Sequence, residues 1–222
     1  MGTHLLAIII PTLNAARTLP AVLEACAETW APVVVADGGS TDDTPALARA
    51  LGARVVQAPR GRGPQLAAGA AAVRAEWLLF LHADTRLQRG WLAAARAHMA
   101  EHPGMAAYFR FALDDSSDEA RRLERLVAWR CRKLALPYGD QGLLIPRALY
   151  ESVGGFRPLP LMEDVDLVRR LGRARLRGLE VAAVTSAEKW RRDGWRKRSA
   201  RNLACLSLWY LGVPPRVIAK VY

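Results

Sequence analysis

The stretch WLLFLHADT, residues Trp77–Thr85, decides how the chain can be interpreted. Its first five residues are bulky and apolar, as in a strand that is buried on both faces of a sheet. His82 and Asp84 follow, and a strand that only filled a core would have no use for two polar groups at its end. Ligands of open parallel sheets bind outside the carboxyl ends of the strands. The stretch therefore predicts a buried strand with a functional site at its end.

Three further apolar runs precede this strand, and segments with helical spacing separate the four. The runs are Leu5–Ile10, Val33–Ala36 and Arg54–Gln57, and the helical segments are residues 15–28, 43–51 and 64–75. Short β-branched runs that alternate with helices predict βαβ units in an α/β fold with a mostly parallel central sheet flanked by helices.

The second half of the chain predicts a strand and several helices. Met105–Leu113 has the composition of a strand, and a helix is expected after Glu163. Residues 122–136 have helical spacing, with one apolar face made of Leu123, Leu126, Val127, Cys131 and Leu134. Trp195–Tyr210 predicts a final basic, partly amphipathic helix.

Length and composition exclude several classes of protein. The chain has 222 residues, 51% of them hydrophobic, which suits one α/β domain with or without an extension. Its apolar runs fall short of the roughly 20 residues of a membrane span, and the start lacks the charged leader of a signal peptide. Cys26, Cys131 and Cys205 are odd in number and widely spaced, so we expect no disulfide framework and a reducing, cytoplasmic location.

The positive charge is concentrated at the end of the chain. Residues 189–222 contain nine lysine and arginine residues and one aspartate, which is +8 of the formal charge of +11. We therefore predict a domain at residues 1–188 and a basic helical extension at residues 189–222. The extension is either a solvated helix packed on the domain or a contact with an anionic membrane or substrate. The sequence has no nucleic-acid-binding motif, so we expect no nucleic-acid partner.

Asp37 lies at the end of the second predicted strand, before two glycines. Its carboxylate could accept hydrogen bonds from a base N–H or a ribose hydroxyl, or it could only form a turn. The next residues resemble a helix start, with Ser40 as the cap, Asp43 completing a capping box and Pro45 in the first turn.

The stretch PRGRGPQ, residues 59–65, joins two arginines to a glycine-rich turn. Its glycines do not match the dinucleotide-binding fingerprint, and Pro64 is placed to open a helix. Arg62 and backbone N–H groups at a helix start would suit a diphosphate, although a solvated basic turn has the same composition.

Three acids, Glu163, Asp164 and Asp166, fall within four positions of LMEDVDL. Acids in a first helical turn interact favourably with the helix dipole, which is a sufficient structural reason for them. Crowded carboxylates also repel each other and raise a pKa, which suits proton transfer. Another motif, HMAEH, has the spacing of a metalloprotease pattern, but we interpret His98 and His102 as two exposed histidines on one helix.

Taken in order, five stretches resemble glycosyltransferase family 2, which has the GT-A fold. They are IIIPTLNAARTL, VVVADGGSTDDT, FLHADT, GDQGLLIPRALYESVGGF and LMEDVDL. The ending SAEKWRRDGWRKRSARNLACLSLWYLGVPP resembles a small bacterial branch known as radical SAM/selenodomain-associated transferase 2.

The resemblance implies a nucleotide-diphosphate sugar donor, with a UDP-sugar favoured, and a divalent metal, Mg²⁺ or Mn²⁺. Asp84 matches the last position of the family's D-x-D motif, which binds metal and diphosphate, and Asp164 matches the catalytic base, with Glu163 beside it. His82 stands in the first position of D-x-D, where it could ligate the metal, contact a phosphate or only face a neighbour. The residues expected at the nucleotide are Pro11, Thr12, Asn14, Asp37, Gly38, Arg62, Gln65, His82, Ala83 and Asp84.

The expected reaction is inverting transfer to an acceptor hydroxyl. Processive members carry Q-x-x-R-W, and because Ser186–Trp190 keeps only the tryptophan and a basic residue, we expect single transfer. One alternative is a nucleotidyltransferase that acts on sugar phosphates, but such enzymes carry a glycine-rich loop where this chain has PTLNAARTL. Another is a non-catalytic module that binds nucleotide or membrane. The sugar, the acceptor and the oligomeric state stay open.

Overall fold

One sheet organises the computed structural model, which describes residues 4–221. Its eight strands in that range are β1 (His4–Thr12), β2 (Val33–Asp37), β3 (Arg54–Gln57), β4 (Ala75–Phe80), β5 (Thr85–Leu87), β6 (Ala106–Leu113), β7 (Leu143–Pro146) and β8 (Leu176–Thr185). They lie in the order β3-β2-β1-β4-β7-β6-β8-β5.

Helices connect most of the strands and form the end of the chain. They are α1 (Leu19–Cys26), α2 (Thr44–Ala50), α3 (Arg62–Ala71), α4 (Trp91–Glu101), α5 (Asp118–Leu134), α6 (Arg147–Ser152), α7 (Glu163–Leu171), α8 (Glu188–Asp193), α9 (Trp195–Tyr210) and α10 (Pro215–Ile218). The predicted βαβ alternation is confirmed, since β1 pairs in parallel with β2 and β4, and β2 with β3.

The other half of the sheet is mixed, so the parallel arrangement does not extend across it. Strand β7 runs antiparallel to both β4 and β6, and β5 runs antiparallel to β8. The register of β4 and β7 pairs Phe80 with Leu143. As a result, the turn before β7, residues 139–142, lies beside the loop that follows β4. This pairing brings two distant motifs to one edge of the sheet.

Strand β1 is buried on both faces, as its continuous apolar run predicts. Ile8 and Ile10 pack in one cluster with Leu19 of α1, whereas Ile9 packs in the opposite cluster with Leu66 of α3. Successive side chains of a strand point to opposite faces, so a run of isoleucines serves two core layers. The carboxyl end of β1 is therefore held in place by core packing on both faces of the sheet.

Two predicted helix details are wrong. Helix α2 begins at Thr44 rather than after Ser40, because the Ser40 hydroxyl donates to Asp37 instead of capping a helix. In α5, Val127 and Cys131 are buried as predicted, but Leu126 and Leu134 are 64% and 52% exposed. Leu126 lies at the edge of the apolar face, and Leu134 lies on that face but in the last turn of the helix, so both side chains remain exposed.

The interpretation of His98 as an exposed residue is also wrong. His98 is buried, its Nε2 lies 2.9 Å from the carbonyl oxygen of Met105, and its ring meets Trp77 edge-on. Burial lowers the pKa of His98, so the neutral ring fits the core. Its role in HMAEH is packing.

The end of the chain packs on the segment that leads into α7. Cys205 of α9 and Ile218 of α10 are fully buried and form a cluster with Leu161. The bounds of α9 are those predicted. Within residues 4–221, no helix combines the length and apolarity that crossing a bilayer requires. Residues 1–3 and 222, at the outer limits of the two predicted domain ranges, lie outside the described residues.

Candidate active site

The carboxyl ends of β1 and β4 and the start of α3 surround a cavity of about 740 Å³, here called the larger cavity. Predicted site residues on its wall are Pro11, Thr12, Asn14, Arg62, Gln65, His82, Ala83 and Asp84. Asp37 and Gly38 are not on the wall. Eight of the ten residues predicted to bind the nucleotide thus line one cavity, and the other two, Asp37 and Gly38, are buried beneath its wall.

Asp37 is buried, and both of its carboxylate oxygens accept hydrogen bonds. The Thr12 hydroxyl donates to Oδ1 at 3.0 Å, while the backbone N–H groups of Gly39 and Ser40 donate to Oδ2 at 3.1 and 2.9 Å. Burial alone would raise the pKa of Asp37, but hydrogen bonds from Ser40, Thr12 and Gly39 hold it below its ordinary value. In this structure Asp37 organises the loop, so its direct contact with a nucleoside stays a prediction.

Gln65 has a comparable internal role. Its amide Nε2 donates to the carbonyl oxygens of Thr12 at 2.6 Å and of Ala36 at 2.8 Å, so it ties the ends of β1 and β2 together. A Cβ atom on Gly38 would come within 3.0 Å of the Gln65 side chain. Glycine at position 38 therefore makes room for this clamp.

Asn14 connects the loops after β1 and β2. Its backbone N–H donates to the Ser40 hydroxyl at 2.9 Å, and its side-chain Oδ1 accepts from the N–H of Thr41 at 2.8 Å. Asn14 has φ = 52°, a left-handed conformation that asparagine tolerates better than most residues. We call Thr12, Asn14, Asp37, Ser40 and Gln65 the loop framework.

The loop after β4 places Asp84 opposite the start of α8. The Lys189 ammonium lies 2.9 Å from Asp84 Oδ2, and the two side chains are 55% and 19% exposed. Burial alone would raise the pKa of Asp84, but Lys189, with His82 and Arg62, holds it below its ordinary value. Asp84 is therefore an anion that already has a cation beside it.

His82 lies between these charged groups and the turn before β7. Burial lowers the pKa of His82 to about 4, and Arg62 acts in the same direction against the opposing effects of Asp84 and Asp164. The ring is neutral at physiological pH, as a metal ligand must be. A Cβ atom on Gly139 would lie 2.4 Å from His82 Nε2, so glycine is required where the turn meets the ring.

Glu163 and Asp164 begin α7 but face different surroundings. Glu163 is 1% exposed, and the Arg62 guanidinium Nε lies 2.8 Å from its Oε1. Burial raises the pKa of Glu163 to about 7, with Arg62 opposing and Asp164 adding to the rise. The expected pKa rise from crowded acids therefore falls on Glu163, while Asp166 forms an ion pair with Arg170 at 2.6 Å.

Asp164 is held by two backbone N–H groups. Gly139 donates to its Oδ2 at 2.8 Å, and Val165 donates to its Oδ1 at 2.7 Å. The residue before Glu163, Met162, has φ = 65°, which is an unfavourable conformation for a side chain of this size. The start of α7 is thus fixed to the turn before β7.

Asp140 is a site residue that the sequence interpretation missed. It lies between Gly139 and Gln141 in a turn that seemed to carry little information, and β7 pairing brings it beside Asp84 and Asp164. Burial raises the pKa of Asp140 to about 6, and its Oδ1 has no hydrogen-bond partner among residues 4–221. A buried carboxylate oxygen that accepts no hydrogen bond from the protein is available to a ligand or to water. We call Asp84, Asp140, Glu163 and Asp164 the acid cluster.

A second cavity, of about 150 Å³ and here called the smaller cavity, adjoins the larger cavity. Its wall includes Tyr138, Trp190 and Asn202, together with Asp140 and Asp164. Both cavities share a set of charged and polar side chains, namely Arg62, His82, Asp84, Lys189 and Arg198. The two cavities therefore meet at these charged groups.

The protein supplies only part of a metal site. Within residues 4–221, no group of three or more His, Cys, Asp or Glu side chains is arranged to hold an ion. His82 and Asp84 are nevertheless compatible donors, because Mg²⁺ and Mn²⁺ are commonly bound by one or two carboxylates together with substrate phosphates. His82 and Asp84 therefore fit a metal site in which the protein provides two ligands and a diphosphate provides the others.

Comparison with known proteins identifies relatives. The profile of "Glycosyl transferase family 2" matches residues 7–159. A PGL/p-HBAD biosynthesis glycosyltransferase of Mycobacterium tuberculosis is 38% identical over 119 residues, covering 46% of this chain and 44% of the relative. An uncharacterized glycosyltransferase of the same species is 36% identical over 91 residues, covering 40% and 41%. The matches span less than half the length of these curated relatives.

Solved structures have the same architecture. S. aureus TarS 1–349 superposes with a TM-score of 0.66 at 17% identity, covering 83% of this chain and 61% of that chain. Glucosyl-3-phosphoglycerate synthase from Mycobacterium tuberculosis, in complex with Mn²⁺, UDP and glucosyl-3-phosphoglycerate, gives 0.60 at 20% identity, covering 81% and 70%. Since the family profile spans most of the chain and the curled mixed sheet matches these structures, the chain belongs to glycosyl transferase family 2 and has the GT-A fold.

Proposed function

We propose that the protein transfers a sugar from a nucleotide-diphosphate donor to an acceptor hydroxyl, with inversion at the anomeric carbon. One observation carries this proposal: Asp84 and two cations, Arg62 and Lys189, line both cavities, and Asp140 and Asp164 line the smaller one beside them. A donor in the larger cavity and an acceptor in the smaller cavity would meet at these groups. The relatives are named glycosyltransferases, which supports the same class of reaction.

The donor occupies the larger cavity in this proposal. Its nucleoside lies against Pro11–Asn14, where the loop framework keeps the backbone rigid, and its diphosphate lies near Arg62 and Lys189. A UDP-sugar is favoured, since TarS was solved with UDP-GlcNAc and the synthase with UDP. Preformed pockets lose little entropy when they bind a ligand, which suits this fully hydrogen-bonded loop.

Asp84 and His82 would hold a divalent metal shared with the diphosphate. When bound, the ion neutralises negative charge that develops on the departing diphosphate. Asp84 is already paired with Lys189, so part of that positive charge is supplied by the chain itself. Arg62 adds a second cation on the same wall.

Asp164 acts as the catalytic base. The acceptor hydroxyl gives its proton to Asp164 while its oxygen forms a bond to the anomeric carbon. The bond from that carbon to the donor diphosphate breaks on the opposite face, and the electron pair leaves with the diphosphate. Hydrogen bonds from Gly139 and Val165 hold the carboxylate oxygens in place. A positioned base contributes about 10²–10⁴-fold to such a reaction.

Glu163 has a positioning role here, although the sequence suggested a catalytic one. It is 1% exposed and lines neither cavity, whereas it contacts Arg62. Glu163 thereby fixes Arg62 at the boundary of the two cavities. A buried ion pair of this kind is disrupted at high cost when one partner is removed.

Single transfer is favoured over polymer synthesis. The position of Q-x-x-R-W is taken by Ser186–Trp190, in which Lys189 and Trp190 face the cavities. We also assign the chain to the radical SAM/selenodomain-associated transferase 2 branch, which residues 186–215 support through the resemblance of their sequence. A cytoplasmic location is supported by three cysteines that are all buried thiols.

Peripheral membrane contact through residues 189–222 stays part of the proposal. Its basis was the concentration of basic residues in this range, and several of them have other partners in the structure. Four basic side chains of this range, Lys189, Arg192, Arg198 and Arg201, line the larger cavity. Asp193 forms ion pairs with the last three. Much of the basic charge of the tail is therefore directed at the candidate active site rather than at a distant surface.

Calorimetric titration with nucleoside diphosphates of different bases, with and without Mn²⁺ or Mg²⁺, tests the donor site. We expect uridine diphosphate to bind most tightly, with metal increasing its affinity, and Asp84→Ala to lose the metal effect. Asp43→Ala, which removes an exposed acid outside both cavities, serves as the matched control and should bind like the unmodified protein. Absence of nucleotide binding under every metal condition would overturn the proposed function.

A further inference from the structure

Six exposed basic or apolar side chains lie on one face of α5, and one exposed acid, Asp118, is on the same side in the first turn. The six are Arg122, Arg125, Leu126, Trp129, Arg132 and Lys133. At about 100° per residue, all six fall within about 120° of one another around the helix. The opposite face, with Val127 and Cys131, packs on the sheet. We call these six residues the α5 outer face.

The two apolar residues of this face are unusually accessible. Leu126 is 64% exposed and Trp129 is 51% exposed, and four cations surround them. Isolated exposed apolar residues are common, but two neighbouring ones with four cations and only one acid, Asp118, on the same side of the helix indicate an interaction site.

We propose that the α5 outer face binds the surface of an anionic lipid membrane. Helices that lie in a bilayer interface combine lysine and arginine with tryptophan and leucine on the membrane side. Here Arg122, Arg125, Arg132 and Lys133 would contact lipid phosphates, and Leu126 and Trp129 would enter the boundary between headgroups and acyl chains. The indole of Trp129 suits that boundary, since it has a large apolar surface and one N–H group.

Charge distinguishes this occupant from a second copy of the chain. Pairing two α5 outer faces would oppose four cations with four cations, in a protein that already carries a formal charge of +11. A nucleic acid would satisfy the cations but would offer no apolar phase for Leu126. A negatively charged bilayer satisfies both parts of the face.

The helix is held firmly, so the face is formed before binding. At its start, the Ser117 hydroxyl accepts a hydrogen bond from the N–H of Ala120 at 3.3 Å. At its end, the Arg173 guanidinium donates to the carbonyl oxygens of Arg132 at 2.8 Å and Lys133 at 3.3 Å. No segment has to fold when the lipid binds.

The same helix is connected to the smaller cavity. The Arg130 guanidinium lies 3.5 Å from the centre of the Tyr138 ring, and Tyr138 lines that cavity. Docking through the α5 outer face would therefore bring the smaller cavity near the bilayer, where an acceptor at the lipid surface could enter it. This consequence rests on the proposed function, whereas lipid binding itself does not.

Vesicle sedimentation tests the proposal with the full chain. Vesicles of phosphatidylcholine containing phosphatidylglycerol are compared with vesicles of phosphatidylcholine alone, at low and high salt. We expect binding only to the anionic vesicles, weakened by salt. Arg125→Glu/Arg132→Glu should reduce binding by at least about 25-fold, since each basic residue near a membrane contributes about fivefold. Leu126→Ser/Trp129→Ser should reduce it by more than about tenfold.

Two control variants show whether vesicle binding depends on this face or on any exposed tryptophan or basic pair. Trp30→Ser removes a fully exposed tryptophan that follows the exposed acids Glu24 and Glu28, and it should bind vesicles like the unmodified protein. Arg196→Glu/Lys197→Glu reverses two exposed charges of the tail and should have a smaller effect than the α5 reversal. Urea midpoints should be unchanged in all variants, because the altered side chains are exposed.

Three results would overturn the proposal. One is equal vesicle binding by the unmodified protein and both α5 variants. Another is loss of binding in the tail variant alone, which would assign the membrane contact to residues 189–222. The third is a dimer in sedimentation velocity that dissociates on α5 substitution, which would make the face a contact between copies. None of these results depends on glycosyl transfer, so the proposed function is tested separately.

Discussion

The loop framework and the acid cluster lie at the same sheet edge, but they differ in how well their polar groups are satisfied. Asp37 accepts hydrogen bonds at both oxygens, and Gln65 bonds two strand ends. In the acid cluster, Asp140 Oδ1 and Glu163 Oε2 lack a hydrogen bond within the described part of the chain, residues 4–221. The framework is complete without a ligand, whereas the cluster is not.

This difference suggests a division of labour. A saturated network holds a fixed surface against which a nucleoside can lie. Unsatisfied buried acids destabilise the fold, and proteins tolerate them where chemistry requires them. Substitutions in the framework should therefore act through stability, and substitutions in the cluster should act through catalysis, ligand binding or pH dependence.

The largest expected effect is on turnover by Asp164→Asn. Loss of the base should lower kcat by about 10²–10⁴-fold and leave the affinity for uridine diphosphate nearly unchanged. Steady-state kinetics and calorimetry measure the two quantities. Asp166→Asn is the matched control: it removes a neighbouring acid whose ion pair with Arg170 lies outside both cavities, so it should cost stability instead. Unchanged turnover in Asp164→Asn would refute the role of the base.

Asp37→Ala tests the framework side of the comparison. It leaves four donors without their acceptor, and each buried group left unsatisfied costs about 1–3 kcal/mol, so we expect the free energy of unfolding to fall by at least about 3 kcal/mol. Asp84→Ala should cost less than about 1 kcal/mol, because it breaks a partly exposed ion pair. Urea denaturation compares the two variants. Equal stability losses would remove the distinction between framework and cluster.

The pH dependence of stability should report on Glu163. The pKa of Glu163 is about 7 in the folded chain and ordinarily 4.5, so its protonated form is favoured by folding. Its contribution is complete below about pH 4.5 and is lost as the pH rises through about 7, by up to about 3 kcal/mol. Glu163→Gln should lack this decline in urea unfolding between about pH 5 and about pH 8. Identical profiles in both proteins would contradict the assignment.

The smallest expected effect is that of Lys189→Met. Because Lys189 competes for Asp84, its removal should strengthen Mn²⁺ binding and weaken metal-independent diphosphate binding, each by about fivefold, the scale of a partly exposed ion pair. Calorimetry measures both affinities. Lys197→Met removes an equal charge from the exposed face of α9 and is the control. Equal changes in the two variants would show a general charge effect.

Local patterns predicted the scaffold because they depend on neighbours in sequence. The parallel strands, the bounds of β3 and α9 and the buried positions Val127 and Cys131 follow from apolar spacing. The family also followed from motif order. These features need no knowledge of which distant segments meet.

The missed features depend on long-range pairing. Asp140 enters the site only because β7 inserts between β4 and β6, and no local pattern in GDQG indicates that. The internal hydrogen bonds of Gln65 and Asp37 could not be predicted either, since a sequence does not show which polar groups bond internally, and the contact of both residues with a ligand stays a prediction. The one available signal was an acid in a turn bounded by two glycines, Gly139 and Gly142, in a stretch that resembled the family.

Anomalous diffraction at the manganese edge, from crystals grown with uridine diphosphate and Mn²⁺, tests the central claim most directly. We predict the nucleotide in the larger cavity and one manganese peak at about 2–2.6 Å from an Asp84 oxygen, with Lys189 displaced towards the diphosphate. A nucleotide bound elsewhere, or a manganese peak away from Asp84, would contradict the assignment of the acid cluster as the part of the site that a ligand completes.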